Sequence, residues 1–292
     1  MSILKNKKLL VLEILAIILF LLYILPFALV IINSAKPTLD IIVNPLSIPE
    51  HWGQLFVNVR AILESDTVNY VSSFINSVII TVASVTLLVF VSSMAAWVLV
   101  RTKTKLSNFI FLMFVASMVI PFQVVMFPLI LWFNRIDVAL GLANTSFRLV
   151  SNYYGMILAY IGFGSSMSIF LYHGFIKSIP IELEEAAFID GCTKPRVFFS
   201  IIFPVLKPIT VTVVILNGMW IWNDFLLPML LLGSGNAIQT LPLAVANFVG
   251  SFVRRWDLIL TSTLMAMLPI IIVFLILQKH IIKGMVDGST KG

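Results

Sequence analysis

Six apolar runs dominate the chain, at about residues 9–32, 71–100, 108–133, 153–173, 205–232 and 258–279. Each reaches the roughly 20 residues that a helix needs to cross a hydrocarbon core. Inside lipid every backbone N–H and C=O must find a partner in the protein, which leaves helices or closed barrels. A barrel would alternate apolar and polar residues over segments of about ten, and these runs do not. The expected fold is all-α: a polytopic membrane protein with six transmembrane helices, forming a single transmembrane domain over 1–292. Composition agrees, with 60% hydrophobic and 11% charged residues against about 25% charged in a soluble domain. Pro26, Pro121, Pro128, Gly218, Pro228 and Pro269 fall inside the runs; neighbouring helices can re-pair the backbone groups they free.

The first run follows Lys5, Lys7 and Lys8 and is interrupted only by Glu13. It exceeds the apolar core of about 7–15 residues in a cleavable signal, so it reads as an uncleaved span. The net charge of +6 is spread over short loops and forms no basic stripe of the kind that binds nucleic acid. Lys5, Lys7, Lys8, Arg101, Lys103, Lys105, Lys177, Lys194, Arg196, Lys207, Lys279, Lys283 and Lys291 make 13 cations on one side. Lys36, Arg60, Arg135, Arg148, Arg254 and Arg255 make 6 on the other, which completes the 19 of the chain. The positive-inside rule then places both termini and the segment 178–208 in the cytoplasm. The loops at about 33–70, 134–152 and 233–257 face outward and are too short for independent domains; they read as lids or contact loops.

The segment 178–208 is a charged island between apolar runs. Ser178 is expected to cap a helix beginning near Pro180, with Glu182, Glu184 and Glu185 at its positive end. Gly191 follows where a helix C-terminus calls for positive φ. Thr193 is expected to cap a second helix with Pro195 in its first turn, and Pro204 and Pro208 mark the return to the membrane. By charge pattern alone this is an amphipathic helix at the bilayer surface.

The fifth run carries Asn217, Trp220, Asn223 and Asp224. Ionisable groups at membrane depth are expensive and mark functional paths by default. Amides, a carboxylate and an indole face suit the polar edges and C–H faces of a sugar. Two readings stand: the face lines a translocation path, or Asn223 and Asp224 join helices and cap a break before Pro228.

No Gly-x-x-x-x-Gly-Lys-Ser/Thr loop is present, so the chain has no phosphate cradle of its own. His51, His173 and His280 are far apart in sequence, no nucleophile elbow occurs, and the single Cys192 excludes an internal disulfide. Neither a catalytic nor a metal site is expected, nor a cofactor held by this chain; any ATP would have to be bound by a separate subunit.

Glu185-Ala186-Ala187, three residues, Gly191, nine residues, Ile201, one residue and Phe203-Pro204 resembles the EAA loop of ABC importer permeases. The usual residue before the closing proline is Leu; Phe203 is an apolar departure. Phe74-Ile75-Asn76-Ser77, Ala95-Ala96-Trp97 before Arg101, Trp222-Asn223-Asp224-Phe225, Thr240-Leu241-Pro242-Leu243 and Gly284-Met285-Val286-Asp287-Gly288 carry the likeness over nearly the whole chain. It is similar to the second permease subunit of the maltose, raffinose and glycerol-phosphate type carbohydrate systems. That resemblance implies the type I importer permease fold in a bacterial-type plasma membrane. It implies a second homologous permease, two ATPase subunits and an extracytoplasmic sugar-binding protein as partners, with no role for nucleic acid. It implies ATPase coupling through Glu184, Glu185, Ala186, Ala187, Asp190, Gly191, Ile201 and Pro204, and binding-protein contact through Gln239, Asn247, Phe248 and Phe252. It also places the C-terminal tail near the ATPase. Two other classes are a secondary transporter and a membrane scaffold for a cytoplasmic partner. A secondary transporter would show repeats, broken helices and midplane charge pairs; a membrane scaffold would explain the island but not the polar fifth run.

Overall fold

The computed structural model describes residues 2–65, 69–233, 237–248 and 255–289. In these residues the regular structure is helical throughout. In chain order the helices are α1 (Ser2–Ser34), α2 (Thr38–Val43), α3 (Gln54–Leu63), α4 (Tyr70–Arg101), α5 (Lys105–Ser117), α6 (Phe122–Ala139) and α7 (Tyr153–Lys177). There follow α8 (Glu182–Ile189), α9 (Lys194–Val197), a π-helical turn (Phe198–Ile202), α10 (Phe203–Val205), α11 (Lys207–Asn223), α12 (Leu226–Leu231), α13 (Leu241–Asn247) and α14 (Trp256–Ser289). Five helices are long and apolar enough to cross a membrane, within α1, α4, α6, α7 and α14; counting the bent pair Lys194–Val205 and Lys207–Asn223 as one span makes six.

Two of the apolar runs are broken rather than continuous. The run at 108–133 divides into α5 and α6, because Pro121 sits in an extended conformation (φ −59°, ψ 128°) at the entrance to α6. Proline lacks the N–H that would carry α5 onward and disfavours helix in the residue before it. The run at 205–232 divides at Asp224, whose ψ of 126° ends α11.

The chain falls into two compact units: residues 1–71 with 244–268, and residues 72–243 with 269–292. In the first, side chains tie the end of α1 to α2, α3 and the start of α14. Asn58 Nδ2 donates to the Ser34 carbonyl (2.9 Å), as does Thr261 Oγ1 (2.9 Å). Thr38 Oγ1 donates to Asp257 (2.7 Å). Lys36, expected as an outer-loop cation, is buried, and its Nζ donates to Asn33 Oδ1 and the Asn44 carbonyl, both at 3.0 Å. Leu9 to Leu25 of α1 expose their apolar side chains, as a span facing lipid or another subunit does.

In the second unit α7 is central and packs against α5, α11 and α12. Its Met156, Tyr160, Ile169, Tyr172 and Ile176 are fully buried. Small hydroxyls at Ser84, Ser92, Ser93 and Ser168 are buried among them, as in membrane helices that pack closely. Near the end of α6, Asp137 is buried and accepts the backbone N–H groups of Leu149 (2.8 Å) and Val150 (3.0 Å). One carboxylate thereby fixes the turn that leads into α7.

Candidate functional site

The island between α7 and α11 has an inner and an outer face. Ser178 does not cap α8. It closes α7, its hydroxyl donating to the Phe175 carbonyl (2.7 Å), and Ile181 stands at the start of α8 with no side-chain cap. At the other end Gly191 has φ +78°. Its N–H reaches the Phe188 carbonyl (3.0 Å) and the Cys192 N–H reaches that of Ala187 (2.9 Å), the paired bonds of a Schellman stop. A Cβ on Gly191 would meet nothing within 4 Å, so the glycine is required by its dihedral and not by close packing. Thr193 precedes α9 in extended conformation, without a side-chain cap bond.

Glu184 points inward. It is 3% exposed and accepts hydrogen bonds from the Trp97 indole (3.0 Å) and from Arg101 Nε (2.7 Å). Arg101 also donates to the Ile179 carbonyl (3.1 Å). The end of α4 is therefore locked to the start of the island. Ala187, one turn along, is buried on the same face. Behind it the π-helical turn brings Phe198 to Trp97 (5.4 Å between ring centroids), and Phe203 stacks on Phe90 (5.3 Å). The turn precedes Pro204, which has no N–H for an α-helical bond; widening the helix is a common response to such a loss. Ile201 is half-buried and Pro204 exposed.

Glu185, Ala186 and Asp190 point outward, in company with exposed Ile181, Leu183, Phe188 and Ile189. The eight residues expected to couple to an ATPase are thus divided: Glu184 and Ala187 hold the island to the helices, while Glu185, Ala186, Asp190 and Gly191 are presented. The Trp97 and Arg101 partners went unassigned in the sequence, although both lie in the Ala-Ala-Trp…Arg segment.

A second constellation surrounds α11. Asn217 and Trp220 line a cleft of about 880 Å³ with Ser117, Phe122, Phe163 and Ser166. Asn217 is fully buried; its Nδ2 donates to Ser168 Oγ (3.1 Å) and to the Val213 carbonyl (2.9 Å), while its Oδ1 lacks a protein donor. The Ser117 and Ser166 hydroxyls pair at 2.6 Å. Gly164 permits the close approach of Asn217 to α7, because a Cβ there would lie 2.7 Å from Asn217 Oδ1 and collide with Leu88. Trp220 packs edge-on against Phe122 (5.3 Å) and Tyr160 (5.5 Å). Asp224 accepts from Tyr160 Oη (3.0 Å) and from the Leu226 N–H (3.1 Å), so it caps the helix break, the second of the two sequence readings. Asn223 is exposed, with its amide on the Met219 carbonyl (2.7 Å), and is not a wall of the cleft. Ser117, Ser166 and Tyr160 were missed; polar residues inside the third and fourth runs were the available signal.

Of the expected outer contacts, Gln239 is half-buried and its carbonyl accepts from Asn76 Nδ2 (3.0 Å). Asn76 Oδ1 in turn accepts from Tyr153 Oη (2.5 Å), and Ser77 Oγ accepts the Leu241 N–H (2.7 Å). Asn76 and Ser77 anchor the segment entering α13 as well as packing helices. Phe248 is buried, 7% exposed. Phe252, Ser234, Gly235 and the side chains of Asn247 and of the tail from Gly284 lie outside the described residues.

Residues 88–287 match the family of binding-protein-dependent transport system inner membrane components. The chain belongs to that family. The match includes both the island and the cleft, and it identifies the chain as a multi-pass membrane transport permease. Among curated relatives it is 37% identical over 277 residues, 95% of each chain, to a probable starch degradation products transport system permease protein of Thermoanaerobacterium thermosulfurigenes. It is 34% identical, over 92% of each chain, to a multiple sugar-binding transport system permease protein of Streptococcus mutans. It is 41% identical, over 76% of each, to a melibiose/raffinose/stachyose import permease protein of Bacillus subtilis. A chain of a bacterial ABC transporter that imports the acidic polysaccharide alginate superposes with a TM-score of 0.76 at 17% identity, covering 94% of this chain and 96% of that one. Broken helices, set down as a mark of secondary transporters, occur here at 118–121 and 224–225; the family match discriminates where that criterion does not.

Proposed function

We propose that this permease forms one half of the translocation pathway of an ATP-driven, binding-protein-dependent sugar importer, with an oligosaccharide as cargo. Permease relatives whose names carry a cargo include those for starch degradation products, multiple sugars, melibiose/raffinose/stachyose and arabinooligosaccharides, which supports a sugar. The other half is a homologous permease, two ATPase subunits supply the energy, and both termini and the island face the cytoplasm. The observation that carries the coupling role is the opposed orientation of adjacent acids: Glu184 is committed to Arg101 and Trp97, whereas Glu185 is exposed beside apolar Ile181, Leu183, Phe188 and Ile189. An apolar patch with a central carboxylate suits a socket carrying an Arg or Lys. The outer segment around Gln239 contacts the binding protein, and the cleft around Asn217 and Trp220 lies on the cargo's path.

The test is ATPase activity of the assembled complex in proteoliposomes with its binding protein and a panel of oligosaccharides. One or a few sugars should stimulate hydrolysis, and Glu185→Lys combined with Gly191→Trp should abolish that stimulation while the permease still inserts. Full stimulation by the double variant would refute the coupling assignment; stimulation by no sugar would refute the cargo.

A further inference from the structure

We propose that the permease holds an anionic glycerophospholipid, its phosphate in a basic pocket where α4, α5 and α7 meet and one acyl chain in the adjoining groove. The pocket has a volume of about 350 Å³ and is lined by Arg101, Lys103, Asn108, His173 and Lys177 together with Leu99 and Val100. The groove of about 450 Å³ is walled by Phe111, Phe170, Leu171, Phe175 and Ile209. His173 and Lys177 belong to both cavities, so the polar and apolar compartments adjoin, as a phosphodiester and its acyl chain require. His173 is buried and stacked on Phe111 at 3.6 Å between ring centroids, which makes a fixed floor at the junction.

The charges favour an anion. Glu184 takes up Arg101 at 2.7 Å, but among the described residues neither Lys103 nor Lys177 is in an ion pair, and both are exposed. Two uncompensated ammonium groups beside an amide donor at Asn108 provide the donors a phosphate needs. The pocket sits at the C-terminal ends of α4 and α7, at the level where a span meets the headgroup layer, and basic pockets between spans are where anionic headgroups settle. A soluble anion would use the lysines and leave the groove unused; a lipid uses both.

The experiment takes the assembled transporter in mild detergent after extensive exchange into phosphatidylcholine, and counts retained phosphatidylglycerol by native mass spectrometry. Wild type should keep the anionic lipid. Lys103→Gln combined with Lys177→Gln should lower its retention roughly tenfold or more. Lys103→Arg combined with Lys177→Arg should restore it, and Lys105→Gln with Lys194→Gln, which removes cations outside the pocket, should leave it unchanged. Equal retention by the Gln pair, or indifference of wild type to headgroup charge, would overturn the proposal. So would complete displacement by millimolar inorganic phosphate, which would show a soluble anion to be the occupant. Loss of the ATPase subunits from the Gln pair with its lipid intact would assign the lysines to a protein contact instead.

Discussion

Arg101 and Glu184 are 83 positions apart and meet at 2.7 Å, with side chains 18% and 4% exposed. The pair fastens the end of α4 to the first turn of α8, and the Trp97 indole takes the second carboxylate oxygen. Breaking a buried pair by removing one partner leaves the other charge without compensation and costs about 3–5 kcal/mol. Glu184→Gln should therefore lower the thermal midpoint of the detergent-purified permease. Glu185→Gln, one residue on and exposed, should leave stability within about 0.5 kcal/mol of wild type while reducing sugar-stimulated ATPase activity. Identical effects of the two substitutions on both measurements would contradict the two-faced island.

Gly191 makes a separable prediction. Its φ of +78° is strained for a residue with a Cβ, at about 1–2 kcal/mol, yet space around it is open. Gly191→Ala should destabilise by about 1 kcal/mol, and Gly191→Asn by less because Asn tolerates the left-handed region. A loss above about 3 kcal/mol for Ala would indicate close packing against a neighbour, measurable by comparing the isolated permease with the complex.

Asp137 holds the N–H groups of Leu149 and Val150 with one buried carboxylate. Hydrogen bonds to charged groups contribute about 1.5–3 kcal/mol each. Asp137→Ala should speed hydrogen exchange across 140–152 and lower the thermal midpoint; Asp137→Asn, which keeps an acceptor but loses the charge, should fall between. Unchanged exchange in the Ala variant would show that the turn holds its shape without the carboxylate.

Asn76 clamps the Gln239 carbonyl and receives the Tyr153 hydroxyl. Asn76→Leu removes both bonds and leaves the Tyr153 Oη seeking another acceptor. Limited proteolysis should then cut the 237–241 segment faster than in wild type, and binding-protein-stimulated ATPase activity should fall without loss of assembly. Protection equal to wild type would free Asn76 from this role.

The helical membrane class was legible in the length of the apolar runs, and Gly191 in its place after an acidic helix. The inward turn of Glu184 was not. Adjacent helical residues are about 100° apart, and which one faces inward depends on where Arg101 lies, a long-range fact that no local pattern encodes. Pro121 was visible but ambiguous, since membrane helices often continue past proline; the break follows from its extended backbone. Asp224 announced itself as a costly charge, and its role as a cap became plain only with the Leu226 N–H in place. Phe248 lies in a loop that is aromatic and short of charge, and its burial is a tertiary outcome that loop composition does not encode.

The 76° bend between Lys194–Val205 and Lys207–Asn223 has a mechanical consequence. With α4 pinned through Arg101, α7 entering at Ile179 and α11 leaving at Leu206, the island is a bracket with three attachment points. A bracket so mounted has little freedom to swivel alone. Pressure on its outer face must be delivered as a common tilt of three helix ends, and the bent limb turns a push along one helix axis into a sideways displacement of α11. Asn217, Trp220 and the cleft they line ride on that lever.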